Sequence, residues 1–174
     1  TFGLLMSGFM LLVSHLGEMD PSITPRMPVL NSPLLSIHVS IIMISYALLS
    51  LTFICAVAYF CTYNSKREGI KSVNRQLTSL SQIFLYPAIT TLGLGIFIGA
   101  IWANISWGNY WGWDPKETWA LITFMIYAIP IHSNSLSSFR NPKKYHLFML
   151  LSFLSILMTY FGVNYILGGM HSYA

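Results

Sequence analysis

Two kinds of side chain in this sequence are equipped for chemistry: imidazoles, which ligate metals, and indoles, which pack on flat rings. The imidazoles are His15, His38, His132, His146 and His171, and between His38 and His132 lies WGNYWGWDPKETW, residues 107–119. Trp102, Trp107, Tyr110, Trp111, Trp113 and Trp119 fall within eighteen residues. An interfacial girdle accounts for two or three such rings, because indole and phenol join an apolar body to a polar tip. It is an incomplete account of six, with Trp107, Trp111 and Trp113 expected in a non-helical connection beside Gly108 and Gly112. Indoles in a loop next to residues without side chains suit a large, flat, hydrophobic ligand at a bilayer surface.

The polar end of that stretch reads differently. Asp114-Pro115-Lys116-Glu117 matches a capping box, with Asp at the N-cap, Pro at the first helical position and Glu three residues on. The Asp114 carboxylate is then satisfied by the amides of its own helix. The N-terminus so capped keeps a positive dipole end, and Lys116 adds a cation where acidic groups of a ligand can be held.

The elements that position these residues are membrane helices. The chain has 174 residues, of which 55% are hydrophobic and 8% charged, against about 25% charged in a soluble domain. A net charge of +4 and a pI near 9.1 would suit nucleic-acid binding if the basic residues formed a patch on a polar fold. They fall instead in the connections between apolar runs, so no nucleic-acid partner is expected. The first run, Phe2 to Leu16, is shorter than the ~20 residues of a spanning helix and reads as a helix cut at its start. Four others are long enough to cross: Leu34 to Tyr63, Leu80 to Ala103, Trp119 to Leu136 and Tyr145 to Leu167. The expectation is an all-α, polytopic bundle of five spans forming one transmembrane domain over residues 1–174, with a tryptophan-rich loop at 104–118. Cys55 and Cys61, six apart on a helix and so about 240° apart around its axis, are small apolar fillers rather than a redox pair. Gly95 and Gly99 lie four apart, a spacing that lets helices approach closely.

Orientation follows from basic residues, which collect on the cytoplasmic side. Lys66, Arg67, Lys71 and Arg75 fall in one expected loop and Arg140, Lys143 and Lys144 in another, against Arg26 and Lys116 on the opposite side. The tryptophan loop therefore faces outward. His38 follows Asn31-Ser32-Pro33, the expected start of a helix long enough to project beyond the bilayer, and His171 follows Gly168-Gly169 after the last span. Both imidazoles then lie on the loop's side, either as unrelated surface residues or as two ligands to one iron from opposite faces of a porphyrin. His132 is expected deep in a span, about 26 Å along a helix from Pro115. His15 and His146 are expected at the interfaces.

Residues Trp107 to Trp119 resemble the tryptophan-rich WWD signature of haem-handling proteins in cytochrome c maturation. The Asp-Pro-Lys-Glu-Thr continuation is most similar to the CcsA/ResC branch, called System II. The resemblance runs from about Asn31 to Tyr173 and includes the closing Gly-Gly-Met-His-Ser-Tyr. It implies that Trp107, Tyr110, Trp111, Trp113, Asp114 and Trp119 form a haem-binding surface, and that His38 and His171 are axial ligands to the iron of an external haem b. It implies that His132 is one of two membrane-embedded histidines that hold haem during transit, the other having no match here. The reaction it implies is attachment of the haem vinyls to the cysteines of a Cys-x-x-Cys-His motif in an apocytochrome c, with a CcsB/ResB-type membrane partner. Two competing readings are a System I-type haem chaperone or ligase, and a transporter or structural subunit whose aromatic loop only anchors it. The bacterial inner membrane is expected, with the plastid thylakoid as the alternative.

Overall fold

The computed structural model describes residues 32–63, 68–132 and 136–167, all within one compact unit, Ser32–Ala174. The expected first span, His15, Lys66, Arg67 and the segment carrying His171 lie outside the described residues. Helix α1 spans Pro33–Thr62, α2 Glu68–Trp107, α3 Pro115–Ala128 and α4 Pro142–Leu157, which continues as a π-helix over Met158–Leu167. Short 3-10 turns occupy Ile129–His132 and Ser137–Arg140.

Each boundary has a local cause. Pro33 and Pro142 open their helices at the position where a missing N–H costs nothing. Ser32 has the extended backbone of a cap but makes no side-chain capping bond, whereas the Asn141 carboxamide accepts from the Lys143 N–H at 3.0 Å. Helix α3 ends at Ala128 because Pro130, two residues on, lacks an N–H and obstructs the carbonyl of the preceding turn.

That stop corrects the expected span from Trp119 to Leu136. With 14 residues, α3 is about 21 Å long, short of the ~30 Å hydrocarbon core. Among the described residues, where four spans are expected, three helices are long and apolar enough to cross a membrane: Pro33–Thr62, Gly69–Trp107 and Pro142–Leu167. His132 is exposed and ends the 3-10 turn that directly follows α3. Helix α2 is longer than expected at 40 residues. Its first turns carry Lys71 and Arg75, so these two lie on a helix rather than in a loop, and its last residue is Trp107. The loop thus contracts from 104–118 to the seven residues between α2 and α3.

Helices α1, α2 and α4 pack around Leu49, Ala56, Leu85, Leu92, Tyr145 and Met149. Phe53 stacks on Phe153 with ring centroids 4.2 Å apart. Because lipid is as apolar as leucine, interhelical hydrogen bonds and close packing must supply cohesion that burial supplies in water. Ser45 on α1 donates to the Ala88 carbonyl of α2 at 2.8 Å, next to Pro87 in that helix. Ser81 and the Tyr145 hydroxyl meet at 3.1 Å between α2 and α4.

His146, expected at the interface, is fully buried between α1, α2 and α4. Its ring stacks on Tyr59 at 4.3 Å, and its Nε2 lies 3.0 Å from the Thr78 hydroxyl. That hydroxyl gives its one proton to the Asn74 carbonyl at 2.9 Å, so it accepts from Nε2–H and fixes the tautomer. Thr78→Val keeps the shape but strands a buried donor, a loss of about 1–3 kcal/mol. Thermal unfolding in detergent is expected to show that loss, while Thr90→Val, which removes an exposed bond to the Tyr86 carbonyl, changes stability by less than about 0.5 kcal/mol.

Candidate functional site

A cavity of ≈ 300 Å³ lies among α1, α2, the tryptophan loop, α3 and the π-helix, at the small end of the ~300–1,000 Å³ range of ligand pockets. His38 from α1, Tyr110 and Trp111 from the loop, and Lys116 from α3 share its wall. The structure therefore gathers the histidine, two rings and the cation that the sequence singles out.

His38 is seated by the glycines of α2. A Cβ on Gly99 would stand 2.5 Å from His38 Cε1 and 2.8 Å from Nδ1, so any side chain there would require the imidazole to shift. One turn back, Gly95 makes room for Ile42 in the same way, and its carbonyl lies 2.8 Å from His38 Nδ1. A carbonyl only accepts, so Nδ1 carries the proton and the neutral ring has its lone pair on Nε2. Metal-binding imidazoles are oriented in this manner, by donation from the other nitrogen to a carbonyl or carboxylate. A single imidazole donor suits a metal that arrives already held in another ligand set, such as the iron of a porphyrin.

The loop is fixed at both ends. Gly108 turns the chain out of α2 at φ 77°, a conformation open to glycine. At the other end the capping box forms as expected. Asp114, 4% exposed, accepts from the Lys116 N–H at 3.0 Å, while the Glu117 carboxylate accepts from Gly112 N–H at 2.9 Å and Asp114 N–H at 3.3 Å. Asp114 thus builds the site by capping α3 and is not on the cavity wall. Between the ends, Trp113 sits at φ 55°, a left-handed conformation that costs a bulky residue about 1–3 kcal/mol. It is 72% exposed and meets Trp111 edge-on at 5.8 Å.

The other indoles divide. Trp107, on the last turn of α2, packs edge-on against buried Trp102 at 4.8 Å, and with Asn109, Gly112 and Glu117 lines a second hollow of ≈ 220 Å³. Trp119 is half-buried on α3, and its backbone carbonyl lies 3.4 Å from the Thr159 hydroxyl. Neither Trp107, Trp113 nor Trp119 is on the His38 cavity wall. His132 lies away from that wall, and His171 lies outside the described residues.

Sequence reasoning missed the fourth side of the cavity. Thr159, Tyr160 and Asn164 line it together. In an α-helix Thr159 and Asn164 would be about 140° apart, but the i→i+5 winding of the π-helix brings the fifth residue round to the same side. Nothing in the spacing of apolar residues signals π winding. Lys116 is half-buried there; burial lowers its ammonium pKa, and the nearby Asp114 carboxylate opposes that shift.

The cytochrome c assembly protein family matches residues 1–171. Protein NrfI of Wolinella succinogenes is 44% identical over 98% of this chain, which covers 19% of that protein. The cytochrome c biogenesis proteins CcsA of Chlamydomonas reinhardtii and Mesostigma viride are each 35% identical over 86% of this chain, which covers 43% and 58% of their lengths. The chain thus spans only part of each relative.

Two substitutions separate the seat of His38 from the frame of the loop. Gly99→Ala is expected to displace the imidazole and lower stability by about 1–3 kcal/mol, the usual cost of overpacking. Gly69→Ala, with nothing within 4 Å of the new carbon, is expected to be neutral or slightly stabilising. Asp114→Ala removes the cap at a cost of about 1 kcal/mol. Scanning fluorimetry in detergent measures all three.

Proposed function

The chain belongs to the cytochrome c assembly protein family, and from that premise we propose that it binds haem b as substrate in the His38 cavity and presents it for covalent attachment to an apocytochrome c. The observation that carries the reading is the seating of His38. Its imidazole is oriented by the Gly95 carbonyl through Nδ1 and lines a largely apolar cavity together with Tyr110 and Trp111.

The division of labour follows from the groups involved. Haem supplies the reactive vinyls, and the protein supplies ligation, orientation and exclusion of water. His38 is one axial ligand, and His171 is the proposed second. Trp113, exposed beside the cavity residue Trp111, extends the aromatic surface toward solvent, while Trp107 packs on Trp102 at the end of α2 and Trp119 is half-buried on α3. His132 is the proposed member of a membrane-embedded pair used in haem transit. The distribution of basic residues supports an outward-facing tryptophan loop, which puts the attachment to a Cys-x-x-Cys-His apocytochrome on the outer face of a bacterial inner or a thylakoid membrane. A CcsB/ResB-type membrane protein is the proposed partner. The chain itself is a multi-pass membrane protein.

The decisive measurement is haem content by pyridine haemochrome on protein purified in detergent. His38→Gly is expected to lower haem per protein by about tenfold or more, since even the loss of an orienting partner weakens a metal site by 10–100-fold. Added imidazole is expected to restore it by occupying the vacated position. Unchanged haem content in His38→Gly removes His38 from the ligand set.

A further inference from the structure

Resting on the reading of the His38 cavity as a haem site, we infer that the hollow lined by Trp107, Asn109, Gly112 and Glu117 seats a basic side chain of the polypeptide that receives the haem. At ≈ 220 Å³ it is smaller than the ~300–1,000 Å³ of a small-molecule pocket, a size that suits one protruding side chain better than a macrocycle. It adjoins the larger cavity. Glu117 lines both, and the consecutive loop residues Trp111 and Gly112 line one each. A chain anchored in the hollow therefore passes beside the cavity proposed to hold the ring.

The lining decides the charge of the occupant. Glu117 is the charged residue among those that form the hollow. Its bonds to the Gly112 and Asp114 amides both end on Oε2, and among the described residues Oε1 accepts no hydrogen bond and the carboxylate has no ion pair. Asp114 differs, being buried and acting on the charge of Lys116. Trp107 adds an indole, whose face attracts cations, and Asn109 an exposed carboxamide whose oxygen accepts hydrogen bonds. An acid, an indole and a carboxamide around a residue without a side chain suit an ammonium or a guanidinium. The ethanolamine headgroup of a lipid offers a similar cation. The polypeptide is favoured because its cysteines must come beside the cavity to reach the vinyls, and the hollow shares a wall with that cavity. Seating a side chain other than the reacting cysteines fixes the register of the incoming chain against the ring.

Fluorescence anisotropy of short labelled peptides, with serine for both cysteines of Cys-x-x-Cys-His, tests the assignment on the detergent-solubilised protein with and without haem. A peptide with lysine beside the motif is expected to bind about fivefold more tightly than its norleucine counterpart, as a partly exposed ion pair with a cation–π contact would give. That preference is expected to shrink as salt rises. Asn109→Lys is expected to abolish it and Asn109→Asp to widen it, while both variants bind haem as the wild type does, because Asn109 is exposed and off the His38 cavity wall. Equal binding of the two peptides by the wild type, or a preference that neither substitution moves, overturns the proposal. So does an affinity for glycerophosphoethanolamine that shifts with the charge at residue 109 while peptide binding does not, which assigns the hollow to a lipid headgroup. Haem titration of His38→Gly reports separately: wild-type affinity there ends the haem-site reading, whereas the peptide preference reads the hollow alone.

Discussion

The close approach of α1 to α2 at Gly95 and Gly99 is the constraint on which the site depends. Two helices in lipid gain nothing from burying apolar surface against each other, so they associate where small residues allow backbone contact and where polar groups find partners. Both conditions meet on this face. Gly95 admits Ile42, Gly99 admits His38, and the Gly95 carbonyl receives the imidazole proton. The interaction that orients His38 is also one that holds the two helices at their separation. Displacing the ring therefore disturbs the bundle, and loosening the bundle disturbs the ring.

The loop is governed by a second economy of polar groups. Only seven residues join α2 to α3, and their backbone amides need acceptors near a membrane surface. Glu117 serves two of them from within α3, and Asp114 serves the first turn of that helix. With the Gly112 and Asp114 amides held by Glu117, Trp113 between them takes a left-handed conformation and its ring stays exposed. The indoles are thus held by a polar scaffold they do not themselves form. Trp111 and Tyr110 reach the cavity because the capped helix behind them is fixed.

Much of this was legible in the sequence, and the omissions have physical causes. Apolar length located α1, α2 and α4, and the Asp-Pro-Lys-Glu spacing gave the cap of α3 correctly. The extent of α3 was misread because hydropathy is insensitive to Pro130, whose missing N–H stops the helix inside a continuous apolar run. The burial of His146 within the bundle was not legible from its lysine neighbours, because it involves Thr78, 68 residues away. The glycine pair was recognised as a packing feature, but not as the seat of His38. Only the register of α1 against α2 places Gly99 under the imidazole, and that register is set by tertiary packing.

The π-helical end of α4 follows from the same demand for polar partners. Thr159 gives its hydroxyl proton to the Ser155 carbonyl at 2.7 Å and meets the Thr123 hydroxyl at 3.1 Å, which ties α4 to α3 where the winding changes. Beyond that tie the wider helix turns Thr159, Tyr160 and Asn164 toward one cavity wall. Ordinary α winding would leave Thr159 and Asn164 on different sides and open that wall to lipid. A ten-residue π-helix has weaker intrinsic stability than an α-helix, and such segments recur at functional sites. Its presence at the cavity is consistent with a wall shaped by what it must enclose rather than by helix propensity alone.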